Sequence, residues 1–327
     1  MGPDPLRLGL LSTARINGSI LAAAAAGGRA AVVAVASRDL ARAQAYAAEH
    51  GIPRAHGSYE ALLEDTDVDA VYVPLPNRLH HEWTMHGLEA GKHVLVEKPY
   101  SRRPADVDEA FAEADRRGLV LMEAFMYRHH PQTSIVTDLV ASGAIGRPRL
   151  LKADFSFHLD NPDDVRAKPE LDGGSLMDVG CYCVSGLRLI AGEPGEATGE
   201  QLLGSTGIDM SFRGALRFAD GVVGLLHCSF ESARTQELEV VGEDGRLRVE
   251  APWRPDWGGA VLVTRGEEVT TIAVPEADSF VCELENFADA VAGVAPPLLG
   301  REDALGQARA IDALYRAAES GETVSLG

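Results

Sequence analysis

Lysine is nearly absent from this chain of 327 residues: four (at 92, 98, 152 and 168) stand against 26 arginines. Each lysine therefore calls for a reason. Cysteine is scarce too, and four residues, of which only Cys181 and Cys183 are close in sequence, are too few for a disulfide framework. Small buried thiols account for them without a metal. No apolar run approaches the roughly 18 residues needed to cross a bilayer. The Ala22–Ala26 tract is short and ends at Gly27-Gly28-Arg29. Met1-Gly2-Pro3-Asp4-Pro5 has no basic-then-apolar secretion pattern, so a cytoplasmic protein is expected. Basic charge is also short, with 30 Lys and Arg against 49 Asp and Glu and a net charge of −19. That balance opposes non-specific binding to nucleic acid or to an anionic membrane surface, and neither is expected as a partner. It leaves room for a local basic pocket.

What is present is an ordinary globular composition, 46% hydrophobic and 24% charged, at a length that suits two domains. From Leu6 to about Phe125, short apolar runs alternate with helical stretches. Strands are expected at Leu6–Leu11, Ala30–Ala36, Ala70–Val73, His93–Val96 and Leu119–Met122. Helices are expected at about 16–27, at Leu40–His50 with Asp39 as N-cap, at Tyr59–Leu63, at His80–Ala90 and at Ala105–Arg117. Continuous Val- and Leu-rich strands between helices define an α/β Rossmann-like domain with a doubly wound parallel sheet, assigned to residues 1–124. The second domain is assigned to residues 125–327, and after residue 147 the rhythm changes. Strand candidates Arg149–Phe157, Ala215–Ala219, Val222–Phe230, Glu237–Val241 and Arg246–Glu250, with Asp220-Gly221 and Asp244-Gly245 as hairpin turns, give an α+β unit with a mostly antiparallel sheet. Helices are expected there at about 175–190, 280–292 and 303–319.

The first strand–turn–helix is where a dinucleotide pyrophosphate would dock. The usual G-x-G-x-x-G is missing; the turn reads Ser12-Thr13-Ala14-Arg15-Ile16-Asn17. Small residues at 12 and 14 allow close backbone approach, and Ser12, Thr13 and Arg15 suit phosphate. An ordinary polar loop is the alternative. The second strand ends in Ser37-Arg38, where a ribose 2′-hydroxyl would ask for Asp or Glu and a 2′-phosphate for Arg. NADP is thus favoured over NAD, unless Ser37 merely helps Asp39 to cap a helix and Arg38 is solvated.

Glu97-Lys98-Pro99 after Gly91-Lys92-His93-Val94-Leu95-Val96 resembles the signature of the Gfo/Idh/MocA oxidoreductases. Val68-Asp69-Ala70-Val71-Tyr72-Val73-Pro74-Leu75-Pro76-Asn77, followed by His80, resembles it as well. So does Gly173-Gly174-Ser175-Leu176-Met177-Asp178-Val179-Gly180-Cys181-Tyr182. Met122-Glu123-Ala124-Phe125-Met126-Tyr127-Arg128, with Ser12 where most members have Gly, is similar to the branch of dimeric dihydrodiol dehydrogenases and NADP-dependent D-xylose 1-dehydrogenases. The resemblance implies hydride transfer between a nicotinamide and a sugar or cyclic alcohol. It also implies a homodimer or homotetramer built through an open C-terminal sheet. By motif, Lys98 becomes the active-site lysine, Tyr182 the proton donor or acceptor and Asp178 its assistant. Pro74, Leu75, Asn77, His80 and Glu97 fall beside the cofactor with Ser12 to Ile16, Ser37 and Arg38. The Lys98–Pro99 peptide is a candidate for the cis form. Many relatives have His in place of Tyr182, so an inositol-dehydrogenase mechanism does not transfer directly.

The chemistry agrees with those roles. Hydride loss from a carbinol requires a base for the hydroxyl proton. A phenol of ordinary pKa near ~10 needs an adjacent ammonium to act as that base, and Lys98 would also steady oxyanion character on the substrate. Asp178 and Tyr182, four apart, share a helix face. Ser175 to Asp178 also fits a capping box, which leaves Asp178 open to a structural role. Gly173-Gly174 would permit close approach of nicotinamide or substrate. Arg166 faces either substrate or a surface ion pair. His129-His130 lacks the spaced carboxylates or thiols of a metal site, and none is expected. Trp253 and Trp257 are expected to pack at the edge of the sheet domain. Two other functions fit the same fold: an NAD-dependent glycosidase that oxidises transiently, and a cofactor-binding regulator. Ser37-Arg38 and the set Glu97, Lys98, Asp178 and Tyr182 speak against them.

Overall fold

The apolar runs of the first third become strands buried on both faces, and the stretches between them become helices. The computed structural model describes residues 4–326. Strands β1 (Leu6–Leu10), β2 (Ala30–Ala36), β3 (Arg54–His56), β4 (Ala70–Val73), β5 (His93–Glu97) and β6 (Leu121–Ala124) form one sheet. Its order is β3-β2-β1-β4-β5-β6, every pair parallel, so the Rossmann-like expectation holds. Helices α1 (Asn17–Gly27), α2 (Leu40–His50), α3 (Tyr59–Leu63), α4 (His80–Glu89) and α5 (Pro104–Arg117) make the crossovers. Asp39 caps α2 as expected, accepting the Ala41 and Arg42 N–H groups. One strand lies two residues later than its sequence suggests. Leu119 N–H still closes onto Ala114 O of α5, and Val120 N–H bonds the His93 ring, so β6 begins only at Leu121.

Two compact units emerge. The first takes in the chain up to Ser101, Ala105–His129 and a later segment, Asp278–Ala304. That return brings in α8 (Ser279–Val291), which packs on α1 and is tied to Arg29 by an ion pair with Asp289. The rhythm of the sequence, which changes once near residue 125, holds no sign of it.

The second unit is Arg102–Pro104, His130–Ala277 and the chain from Leu305. It contains α6 (Pro131–Ala141), α7 (Cys181–Ala191), most of α9 (Arg301–Ser320) and nine strands. In chain order these are β7 (Pro148–His158), β8 (Glu196–Leu203), β9 (Asp209–Arg217), β10 (Val223–Ser229), β11 (Glu231–Gly242), β12 (Arg246–Val249), β13 (Val261–Arg265), β14 (Glu268–Ile272) and β15 (Val324–Ser325). The sheet runs β14-β13-β12-β11-β7-β10-β9-β8-β15, antiparallel throughout except between β7 and β10. Asp220-Gly221 and Asp244-Gly245 join antiparallel neighbours as expected. One face is covered by α7, whose residues 181–188 are all buried. The other face carries ion pairs such as Lys152–Glu239 and Arg248–Glu237. The strands that patterning missed are mostly polar: β8 reads EATGEQLL and β14 EVTTI, with too little apolar alternation to stand out.

Candidate functional site

In a parallel sheet every loop after a strand leaves from the same edge, and ligands bind there at the reversal of strand order, here between β1 and β4. The loops after β1, β2, β4 and β5 carry Ser12–Ile16, Ser37–Arg38, Pro74–His80 and Lys98. Topology thus gathers them at one edge of the first unit.

The loop after β1 is held by its own side chains. Ala14 N–H donates to Ser12 Oγ at 3.2 Å, and Asn17 Nδ2, on the first residue of α1, donates to the Ser12 carbonyl at 2.7 Å. Ser12 sits at φ +156°, a backbone setting that glycine adopts at less cost. Arg42 Nε donates to Thr13 Oγ1 at 2.8 Å. This arginine was missed in the sequence because it lies beyond the end of β2, one turn into α2. Burial raises the Tyr59 phenol above its ordinary value, and the Arg38 and Arg42 guanidiniums oppose that. Two cations and a phenol therefore stand near one another, beside Ser37, which is buried and accepts the Asp39 N–H at 3.3 Å.

The turn after β5 is the most constrained part of this edge. Lys98–Pro99 is cis. The Pro99 carbonyl lies 2.9 Å from His80 Nδ1, and the Leu75 carbonyl 2.7 Å from Nε2 of the same ring. Burial takes the His80 pKa down to about 4, so the ring is neutral near pH 7 and has one N–H to give. That N–H serves one of the two carbonyls, on the loop after β4 or on the turn after β5, and the buried ring packs between them. Tyr100 N–H donates to Glu123 Oε1 of β6 at 2.7 Å, which gives Glu123 of the Met122–Arg128 motif a structural task. Glu97 accepts the Tyr72 hydroxyl at 2.5 Å and the Lys98 N–H at 3.2 Å.

The second unit holds the other motif. Leu176–Gly180 is a π-helical turn running into α7, so Asp178 and Tyr182 straddle a change of helix type. Such turns, closed by wider i+5 bonds, recur at functional sites. Asp178 accepts from Arg166 Nε at 2.8 Å, and Arg166 Nη1 also reaches Asp164 at 3.2 Å. Both carboxylates hold the Arg166 pKa above its ordinary value, Asp178 most strongly. Tyr182 is 7% exposed, its ring set edge-on to Phe155 at 5.5 Å and tilted against Trp253 at 6.3 Å. Trp253 is fully buried, whereas Trp257 is 44% exposed and lies under Arg234 and Arg254. The expected edge packing therefore describes neither ring well.

One expectation about this turn needs correcting. Ser175 does not cap the helix. It has helical φ/ψ, and its hydroxyl donates to Asp209 Oδ2 at 2.8 Å. The cap comes from across the sheet, where the same oxygen accepts Leu176 N–H at 2.7 Å. The Asp209 Oδ1 accepts the Tyr315 hydroxyl at 2.9 Å. No local spacing could have shown this. Gly173-Gly174 admits backbone and Asp209, too: a Cβ on Gly173 would lie 2.3 Å from Arg166 O, and one on Gly174 would lie 2.1 Å from Asp209 Oδ1. Among the described residues no cluster of three or more His, Cys, Asp or Glu could hold a metal, and no helix is long and apolar enough to cross a membrane.

Residues 13–125 match the oxidoreductase family model described as having an NAD-binding Rossmann fold, and residues 134–248 match the GFO/IDH/MocA C-terminal domain. The chain belongs to the Gfo/Idh/MocA oxidoreductase family. It is 40% identical over 330 residues to D-xylose 1-dehydrogenase (NADP(+)) 2 of Haloferax volcanii, covering 98% of this chain and all of that protein. It is 37% identical over 253 residues to a trans-1,2-dihydrobenzene-1,2-diol dehydrogenase of Oryctolagus cuniculus, covering 75% and 74% of the two chains. Among solved structures, a 3-ketoreductase from Actinomadura kijaniata in complex with NADP and TDP-benzene superimposes with TM-score 0.91 at 34% identity, over 96% of this chain and 98% of that one. The same ketoreductase has been solved with a tyrosine replaced by phenylalanine and with a lysine replaced by alanine or glutamate.

Proposed function

We propose that this chain is an NADP-dependent dehydrogenase or reductase that acts on a carbinol or ketone carbon of a sugar or cyclic diol. The observation that carries the reading is the Lys98 turn. His80, Glu123 and Glu97 tie it down within two residues of a lysine, in a chain that has four. Surface lysines are not held so.

The residues at the sheet edge fit the cofactor. Ser37, Arg38 and Arg42 supply the hydroxyl and cations that a 2′-phosphate wants, Tyr59 a ring beside them, and Ser12 to Ile16 a polar cradle at the start of α1. Pro74, Leu75 and Asn77 line the same edge. Bound NADP supplies the hydride acceptor or donor.

The chain's own residues supply the rest. Tyr182 takes the hydroxyl proton in oxidation and returns it in reduction. Lys98 steadies the phenolate and the oxyanion character of the substrate by its positive charge. Asp178, paired with Arg166, orients the π-turn that leads to Tyr182, and its engagement by Arg166 favours an orienting task over proton transfer. Through its open sheet the protein assembles as a homodimer or homotetramer; Leu225 of β10 and Leu202 and Leu203 of β8, all exposed, support that reading.

A panel of aldoses, inositols and trans-diols with NADP or NAD, followed by absorbance of the reduced cofactor, tests the function. Net reduction of NADP is expected. Reduction of NAD alone would remove the role of Ser37, Arg38 and Arg42, and release of an aglycone without net reduction would point to a glycosidase.

A further inference from the structure

Arg102 and Arg103 follow Lys98 by four and five residues and belong to the second unit, whose first segment is Arg102–Pro104. From Lys98 to Arg103 the backbone is neither helix nor strand. Its beginning is held within the first unit, where Tyr100 N–H donates to Glu123 and Ser101 Oγ donates to Asp106 Oδ2 at 2.8 Å. The two arginines hold its end within the second.

The Arg102 guanidinium stacks on the Tyr315 ring, 5.0 Å from its centroid. Tyr315 gives its hydroxyl to Asp209, which also accepts Ser175 Oγ and Leu176 N–H at the head of the π-helical turn. Arg103 Nη1 pairs with Asp172 Oδ2 at 2.9 Å, and the Asp172 side chain is only 14% exposed. Asp172 sits at φ +53°, in the left-handed region that Asp and Asn tolerate better than most residues. Its loop is closed by Gly173 N–H on Lys168 O and by Gly174 N–H on Arg166 O. From that loop Arg166 reaches Asp178 of the π-helical turn at 2.8 Å. Two consecutive arginines thus lead by separate routes to the head of this turn and to its carboxylate.

We propose that Arg102 and Arg103 are positioning residues that moor the segment behind Lys98 to Tyr315 and Asp172, the two side chains through which the Asp178–Tyr182 turn is held. This rests on the site proposed above. The tether is short, since four residues allow Lys98 and Arg102 a separation of at most roughly 14 Å. An ammonium steadies a developing charge only at close range, and a misplacement of about 1 Å can cost about 100-fold in rate. Planar guanidiniums suit the task, one stacked on a ring and the other paired with a carboxylate.

Arg103→Gln and Asp172→Asn cut the same ion pair from its two ends, and asparagine keeps the left-handed backbone of residue 172. With four lysines in the chain, reductive ¹³C-methylation gives few NMR signals, and that of Lys98 is the one missing from Lys98→Met. Its titration with pH should shift in the same direction in both variants, while those of Lys92 and Lys152 stay in place. Loss of charge alone would shift it in opposite directions, because removing a cation raises the pKa of an ammonium and removing an anion lowers it. Both variants should lower kcat at least roughly tenfold with KM for NADP changed less than about twofold, and Arg103→Lys should restore kcat to within about threefold. The titration needs no substrate, so if it shifts as expected and no sugar or diol is turned over, the mooring stands and the proposed reaction falls. Opposite shifts, or no shift of Lys98 beyond those of Lys92 and Lys152, would overturn the mooring. So would a kcat within about twofold of wild type in both variants. Should one variant not fold, the other decides; if neither folds, the pair supports the fold rather than the site and the proposal fails.

Discussion

Asp209 is the most direct link between the second sheet and the turn that bears Asp178 and Tyr182, and its replacement gives a sharp expectation. Its carboxylate accepts three buried donors: Ser175 Oγ, Leu176 N–H and the Tyr315 hydroxyl. Removing one partner of a buried hydrogen bond costs about 1–3 kcal/mol per orphaned donor. Both hydroxyls are able to turn, so Asp209→Ala should cost roughly 3–6 kcal/mol, a large share of the 5–15 kcal/mol typical of folded proteins. Asp209→Asn behaves differently. Ser175 and Leu176 both use Oδ2, so an amide oxygen placed there keeps both bonds, and the Tyr315 hydroxyl reverses to accept from the amide. One buried hydroxyl proton loses its acceptor, so the cost should be about 1–3 kcal/mol, below that of Asp209→Ala. Urea unfolding at neutral pH, read by circular dichroism and tryptophan fluorescence, measures both variants. Turnover of Asp209→Asn should stay close to wild type. An alanine variant less than about 1 kcal/mol below wild type would show that Asp209 does not hold this turn.

The remaining expectations concern the first unit and the chemistry. Lys98→Met and Tyr182→Phe should each lower turnover at least ~100-fold while nucleotide still binds, as fluorescence titration would show; near-wild-type turnover in both would overturn their roles. Arg42→Ala should raise KM for NADP at least roughly tenfold and leave KM for NAD almost unchanged, since the loss is of a 2′-phosphate contact. His80 gives a pH effect. Its folded pKa is depressed from 6.5 to about 4, so the stability tied to its neutral form is complete above pH ~6.5 and is lost as pH falls toward 4. At about 1.4 kcal/mol per unit this amounts to roughly 3 kcal/mol, so urea midpoints between pH 7 and 4 should fall less in His80→Gln than in wild type by about that amount, the part due to His129, whose pKa burial lowers to about 3, remaining.

Much of the fold was legible because the strands of the first unit are apolar runs bounded by residues with local reasons to stop: Asp39 caps a helix, Gly91 and Gly118 follow helix ends, Pro74 and Pro99 end strands. Polar edge strands such as β14 lacked that contrast. In the site, Lys98, Asp178 and Tyr182 stood out through contiguous motifs. Arg42 and Asp209 did not, because what they touch lies 29 and 33 or 34 residues away in sequence, and Glu123, though inside the Met122–Arg128 motif, gave no sign there of its bond to Tyr100, 23 residues off. Spacing rules see only one turn of helix or one strand at a time. The same limit explains Ser175, whose position matched a capping box while the donor groups it was meant to serve were served from β9.

In the proposed reaction hydride passes directly between the carbinol carbon of a sugar or cyclic diol and NADP, with Tyr182 and Lys98 handling the proton and the charge. It is tested most directly by a substrate carrying deuterium on that carbon, with mass spectrometry of the nucleotide recovered after turnover. One deuterium is expected in the reduced NADP, with its near-complete loss in Tyr182→Phe. Deuterium retained in the sugar product, or washed into solvent with no reduced nucleotide formed, would contradict it.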